Sequence, residues 1–252
     1  TVLSHKFRSA TIAIVAIITT TTTSQLWAQE KIGLHVSDNG RYIVHENGSV
    51  FFPVADTAWA IAWRLTREEV DRYLARRKAQ HFNCIAIVAF PSYDGMKLHT
   101  NAYDDYPFQI EDGAWIPRQP LTTPGASPAN PMEYDYWDHL DYIIDTAHSY
   151  GMYITLLPAW GGYVAGSYVK GEPSNEIIFG VQSAYEYANW LGQRYGNKGN
   201  IIWMMGGDRS AVYGERDYRN VFRAMAEGVA DGVNGVSRQD SQADYSTTLM
   251  SF

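Results

Sequence analysis

The feature that most constrains this chain is its alternation of short, continuously apolar runs with stretches whose apolar residues recur every three or four positions. Cys84-Ile-Ala-Ile-Val-Ala-Phe90, Met152-Tyr-Ile-Thr-Leu-Leu-Pro158 and Ile201-Ile-Trp-Met-Met205 are apolar at almost every position. A half-exposed strand alternates apolar with polar residues, whereas a run without alternation marks a strand buried on both faces, as in a parallel sheet covered by helices. Helical patterns lie between the runs. Thr66 and Glu69 form a capping pair ahead of Val70, Tyr73, Leu74 and Arg77; Trp137, Leu140, Ile144 and Ala147 share one face and stop at Gly151. A further helix is predicted from about Gly180 to Tyr195, and another carries Tyr218, Val221, Phe222, Met225 and Val229 in phase. Strand and helix in strict alternation require right-handed crossovers in a parallel sheet, either open and doubly wound or closed as a (β/α)8 barrel.

At the ends the reading is less regular. Arg41 to Val44, the turn Glu46-Asn47-Gly48, and Val50-Phe-Phe-Pro-Val54 read as a hairpin leading into the first buried strand, and Thr247 to Phe252 as the start of a fifth. Pro91 to Pro131, rich in Pro, Asp, Gly and aromatics, reads as a long loop of the kind that usually serves function. Residues 1–28 read as a secretory signal peptide: Lys6 and Arg8, an apolar stretch from Ala10 to Ile18, a threonine run, and Leu26-Trp27-Ala28. The apolar stretch is about half the ~20 residues that span a bilayer, so no stable membrane anchor is expected. The expected mature domain is 29–252, in the periplasm or outside the cell.

Composition narrows the partners. A net charge of −7 is the wrong sign for holding a phosphate backbone, so nucleic acid is not expected as a partner. One cysteine, Cys84, forbids an internal disulfide and is read as inert packing; no metal-ligand spacing appears, and neither metal nor cofactor is expected. Motifs for dinucleotide or nucleoside-triphosphate binding, for a nucleophilic serine elbow and for a zinc protease are missing.

In both candidate architectures ligands bind at the carboxyl ends of the strands, so the residues that follow each run matter most. They are Asp56, Thr57 and Trp59; Pro91, Tyr93 and Asp94; Trp160, Gly161 and Gly162; and Gly206, Gly207, Asp208 and Arg209. Carboxylates with indoles suit saccharides, because aromatic faces stack on sugar rings and carboxylates bind hydroxyls or move protons. Each residue also has a plainer reading. Asp208 is a proton donor or the ion-pair partner of Arg209; Asp56 touches substrate or caps a helix; Trp160, Trp59 and Tyr93 stack on sugar or pack the rim. Trp203, inside a run, is read as core, and the histidines are assigned no role.

At WMMGGDR, residues 203 to 209, the chain resembles the apiosidase-like glycoside hydrolases, carbohydrate-active family 140. The likeness continues through ADTAW (55–59), YLARRKAQHFN (73–83), HLDYIIDTAHSYGMYITLLPAWG (139–161), LGQRYGNKGNIIWMMGGDR (191–209), RAMAEGV (223–229) and TLMSF (248–252). The resemblance implies a (β/α)8 TIM barrel, here truncated after about five strands, and a secreted bacterial enzyme. It also implies hydrolysis of apiose-containing pectin side chains. By the same resemblance Asp208 is the general acid/base and Asp56 binds sugar hydroxyls. Trp59, Tyr93, Trp160 and Arg209 complete the expected substrate site. The expected partner is an oligosaccharide or polysaccharide. The family pattern continues past TLMSF, so the second catalytic carboxylate is expected from a later strand, and this chain is expected to be an inactive incomplete gene product with exposed sheet edges. A non-catalytic carbohydrate-binding or surface protein is the alternative.

Overall fold

In the computed structural model, residues 33–91, 100–166 and 177–252 are described; the expected signal peptide and Tyr93 lie outside them. These residues belong to one compact unit, Lys31–Phe252. In chain order the elements are β1 (Leu34–Val36), β2 (Ile43–His45), β3 (Val50–Phe51), β4 (Ala55–Thr57), α1 (Ile61–Arg64), α2 (Arg67–Ala79), β5 (Cys84–Val88), β6 (Phe108–Glu111) and β7 (Ala114–Pro120). There follow α3 (Tyr136–Ser149), β8 (Tyr153–Leu157), α4 (Gly162–Ala165), α5 (Val181–Tyr195), β9 (Ile201–Met204), β10 (Val212–Tyr213), β11 (Arg216–Asp217), α6 (Arg219–Val233) and β12 (Met250–Ser251).

Five strands form a wholly parallel sheet in the order β12-β9-β8-β5-β4. This is the expected partial α/β barrel. Every residue of β5 and β8 is buried, as their unbroken apolar runs require. Ile85, Ile87, Ile154, Leu156 and Trp203 face the helices, while Cys84, Tyr153 and Ile202, near the amino ends of their strands, pack against Phe51, Leu34 and Ile43 of the β1-β2-β3 sheet. That antiparallel sheet plugs the amino end of the barrel and leaves the carboxyl end for chemistry. Among the described residues no helix is long and apolar enough to cross a membrane.

The helix signals are realised as side-chain caps. Thr66 Oγ1 accepts from the Glu69 amide while Glu69 Oε2 accepts from the Thr66 amide, and Asp135 Oδ1 accepts from the amides of Trp137 and Asp138 at the start of α3. Gly151 ends α3 with φ +65°, the left-handed position for which glycine is favoured. Between α5 and α6 the backbones themselves touch. A methyl group on Gly228 would lie 2.4 Å from Tyr185 O, one on Gly232 2.2 Å from Asn189 O, and one on Gly192 2.4 Å from Val229 O. Tyr185 Oη donates to Asp231 Oδ2 at 2.7 Å and Asn189 Nδ2 to Val236 O at 2.6 Å, so the polar groups buried in this seam are paired.

Two expectations are corrected. Val50–Phe51 belongs to the plug sheet, and the first barrel strand is the three residues Ala55–Thr57, which places Asp56 within the strand instead of beyond it. The supposed loop from Pro91 to Pro131 contains the hairpin β6–β7, turning at Asp112 and Gly113 with φ of 48° and 76°.

Candidate active site

The carboxyl end of β9 leads into a turn made of two residues that both need positive φ, Gly206 at +78° and Gly207 at +63°. The chain reverses tightly enough for the Gly207 amide to donate to Met205 O at 3.0 Å, and the Arg209 amide donates to Gly206 O at 3.3 Å. Asp208 sits at the crest, its side chain 65% exposed. The loop after β8 braces this turn: the Gly161 amide donates to Gly206 O at 3.2 Å, and a methyl group on Gly161 would strike that oxygen at 2.4 Å. Gly161 and Gly206 therefore bring two strand ends into backbone contact.

Trp160 lies beneath the turn and is only 4% exposed. Trp59 meets its ring edge-on at 5.6 Å, the Arg209 guanidinium lies 5.9 Å from its centroid, and a methyl group on Gly207 would stand 2.9 Å from its Cζ3. The expectation of an open stacking platform is corrected accordingly: Trp160 is the floor that supports the Gly206-Gly207 turn. Trp59 is half-buried and lines a pocket of about 330 Å³ with Thr57, Arg64 and Leu65, so it is the indole with surface left at this rim. Arg209 Nη1 lies 3.3 Å from Asp208 Oδ1; the arginine is packed down on Trp160 and the aspartate projects from it.

Asp56 points elsewhere. Its Oδ2 accepts from Tyr73 Oη at 2.7 Å and from Arg77 Nε, both on α2, so the carboxylate ties β4 to the helix packed behind it. Burial is the largest influence on this carboxyl and acts upward, but the Tyr73 and Arg77 hydrogen bonds together outweigh it and hold the pKa below its usual value. β5 and β8 stand between β4 and β9, a separation of about 14 Å along the sheet at the usual strand spacing. The structure thus does not bring Asp56 and Asp208 together, and the Asp-Thr-x-Trp element offers Thr57 and Trp59 to the rim.

One polar centre escaped the sequence reading. His139 is fully buried, with Nε2 2.9 Å from Leu65 O and Nδ1 3.3 Å from Tyr134 Oη. Nε2 must donate to the carbonyl, so Nδ1 accepts from the tyrosine and the ring is neutral. Beside it the Arg67 guanidinium lies 5.1 to 5.8 Å from the rings of Tyr103, Tyr134 and Tyr142. This cluster fastens the excursion after β5 to the start of α2. Cys84 is buried with Sγ 3.0 Å from Thr155 Oγ1, and burial raises its thiol pKa.

A family model described as "Apiosidase-like, catalytic domain" matches residues 37–250. Among solved structures, a glycoside hydrolase family 5 protein from Bacteroides vulgatus ATCC 8482 is 30% identical over 82% of this chain and 38% of its own, with a TM-score of 0.62. A second, named only as a glycoside hydrolase, is 30% identical over 82% of this chain and 39% of its own, with a TM-score of 0.58. The endo-1,4-beta-mannanase of Rhizomucor miehei, 14% identical over 81% of this chain and 57% of its own, shares the fold at a TM-score of 0.50. The chain spans about two fifths of the length of the first two. No curated protein matches it.

Proposed function

The chain belongs to the apiosidase-like catalytic-domain family, and from that premise we propose that it forms the acid/base part of a secreted glycosidase acting on apiose-containing side chains of pectin. The observation that carries this reading is the presentation of Asp208. A single carboxyl group stands exposed on a turn that two left-handed glycines and a buried tryptophan hold in place, at the strand ends where α/β barrels do their chemistry. In its acid form Asp208 protonates the glycosidic oxygen as the bond to the anomeric carbon breaks, and its conjugate base then takes a proton from the incoming water. Trp59 and Thr57 offer the sugar a partly apolar wall with a hydroxyl. Arg209 steadies the carboxylate between turnovers.

Glycoside hydrolysis by this route needs a second carboxylate on the other face of the sugar. Asp56 is engaged with α2, and β5 and β8 stand between its strand and β9, so it does not supply that group. The second carboxylate is assigned to the portion of the barrel that this chain does not span in its two 30% identical relatives, and residues 1–252 by themselves are expected to bind the oligosaccharide without cleaving it. The test is incubation with an apiosyl-bearing rhamnogalacturonan oligosaccharide, with binding followed by calorimetry and release of apiose by chromatography. Binding that survives Asp208→Asn, with no apiose released, is expected. Apiose release by this chain would refute the assignment of the second carboxylate. In a protein carrying the whole barrel, Asp208→Ala should lower turnover of a substrate with a poor leaving group by about 10²–10⁴-fold, and unaltered turnover would remove Asp208 from the acid/base role.

A further inference from the structure

The pocket beside Trp59 has a composition that the acid/base role of Asp208 does not use. Its lining comes from the stretch between Thr57 and Leu65, and among the described residues that line it Arg64 is the single charged side chain. Its volume of about 330 Å³ lies at the lower end of ligand pockets, about 300–1,000 Å³, and suits one sugar residue. Both walls are fixed independently of any ligand. Thr57 pairs with Ala86 of β5, and the Val88 amide donates to Trp59 O at 3.2 Å, so one wall moves with the sheet. On the other, Ile61, Ala62 and Trp63 of α1 are buried, which leaves Arg64 as the exposed residue of that turn. The Arg64 amide donates to Ala60 O at 3.0 Å, and the next carbonyl, Leu65 O, accepts from His139 Nε2 at 2.9 Å. The guanidinium is thereby carried on backbone that is pinned on both sides.

Charge and shape define the ligand. Asp56 precedes Thr57 but turns its carboxylate to Tyr73 and Arg77, so no carboxylate stands among the described lining residues to oppose an anion. An indole presents an apolar face to a sugar ring, a threonine hydroxyl exchanges hydrogen bonds with sugar hydroxyls, and a guanidinium meets a planar carboxylate with two parallel N–H groups. We infer that this pocket is a subsite for an acidic sugar residue, a uronic acid whose ring lies against Trp59 and whose carboxylate pairs with Arg64. Trp59 also meets Trp160, the floor of the Asp208 turn, edge-on at 5.6 Å, which sets the acidic residue beside the sugar presented to Asp208. The inference rests on the reading of this rim as a glycosidase site and adds Arg64 to it as a specificity-determining residue.

The test is calorimetry of the chain with trigalacturonate and with the neutral trisaccharide made from it by carboxyl reduction. The acidic sugar should bind about tenfold more tightly, and the preference should shrink at high salt because the pair lies at the surface. Arg64→Gln should weaken the acidic sugar to the affinity of the neutral one. Arg64→Lys keeps the charge without the planar fork and should retain part of the preference. Equal binding of the two sugars by the wild type, a preference that survives Arg64→Gln, or an equal loss for both sugars in that variant overturns the inference and leaves the glycosidase reading standing. Acetate that displaces trigalacturonate as well as free galacturonate does would make the pocket a carboxylate site without a sugar and overturn it too. If neither trisaccharide binds the wild type, the reading of this rim as a sugar site falls, and the inference falls with it.

Discussion

Acidification should loosen the fastening around His139 by a calculable amount. Because Nε2 donates to Leu65 O and Nδ1 accepts from Tyr134, only the neutral ring fits. Burial is the main cause that holds its pKa at about 4, opposed by the Leu65 carbonyl and aided by the Arg67 cation, against an ordinary value of 6.5. In the unfolded chain the imidazole takes up a proton as the pH falls through 6.5; in the folded chain it does so only near 4. Between those values the unfolded state binds more protons, so stability declines as the pH drops and levels off below the folded value. The gap corresponds to about 3 kcal/mol, or about 1.4 kcal/mol per pH unit inside the window. Urea unfolding of the wild type and of His139→Gln at several pH values from 7 to 4.5 measures this. Carboxylates titrate alike in both proteins, so the difference in slope isolates the histidine. The variant should start less stable at pH 7 and lose less on acidification. Parallel stability curves would show that His139 is not held neutral, and the tautomer argument would fail.

Three further outcomes are expected. Gly232→Ala pushes a methyl group to 2.2 Å from Asn189 O; the helices must part, and the loss should be about 2–3 kcal/mol in thermal or urea unfolding despite alanine's better helix propensity. Asp56→Asn keeps the Tyr73 hydrogen bond but discharges the partner of Arg77, which should cost about 1–2 kcal/mol by urea unfolding at pH 7 and leave oligosaccharide binding unchanged; lost binding would return Asp56 to the substrate site. Gly207→Ala meets both a positive φ and Trp160, so it should destabilise by about 1–3 kcal/mol and quench or shift tryptophan fluorescence as the floor moves. An unaltered spectrum would contradict the packing of Trp160 under the turn.

The strands that were legible in the sequence are those buried on both faces. β5 and β8 betray themselves because solvent touches neither side and β9 because its run is apolar throughout and buried at its middle residues, and α2, α3, α5 and α6 because one face is apolar and their ends carry capping residues or a glycine stop. β4 carries no such mark: it is three residues long, its outward side chain is the charged Asp56, and its other side chains are exposed at the sheet edge. Its neighbour Val50–Phe51 looks more like a barrel strand because Phe51 is buried in the plug. The β6–β7 hairpin was hidden by Pro117 and Pro120, although Asp112-Gly113 is the dipeptide a two-residue turn with positive φ prefers. At the site, Gly206-Gly207 was legible as a tight turn because two successive residues with positive φ favour glycine, and that turn carries Asp208. The burial of Trp160 depends on Trp59 and Gly207, and the role of His139 on a carbonyl 74 residues away. Neither can be read from spacing.

The glycine seam between α5 and α6 bears on how firmly the Asp208 turn is mounted. Side chains between helices act as a compressible gasket that lets elements slide by an ångström or two; here the gasket is missing and backbone bears on backbone. α5 enters β9 and α6 leaves the segment that follows it, so the strand and its turn hang between two beams in hard contact. The compliance left to the carboxyl group resides in the few bonds from Gly206 to Arg209, so the bearing of Asp208 at the rim is fixed when the helices close.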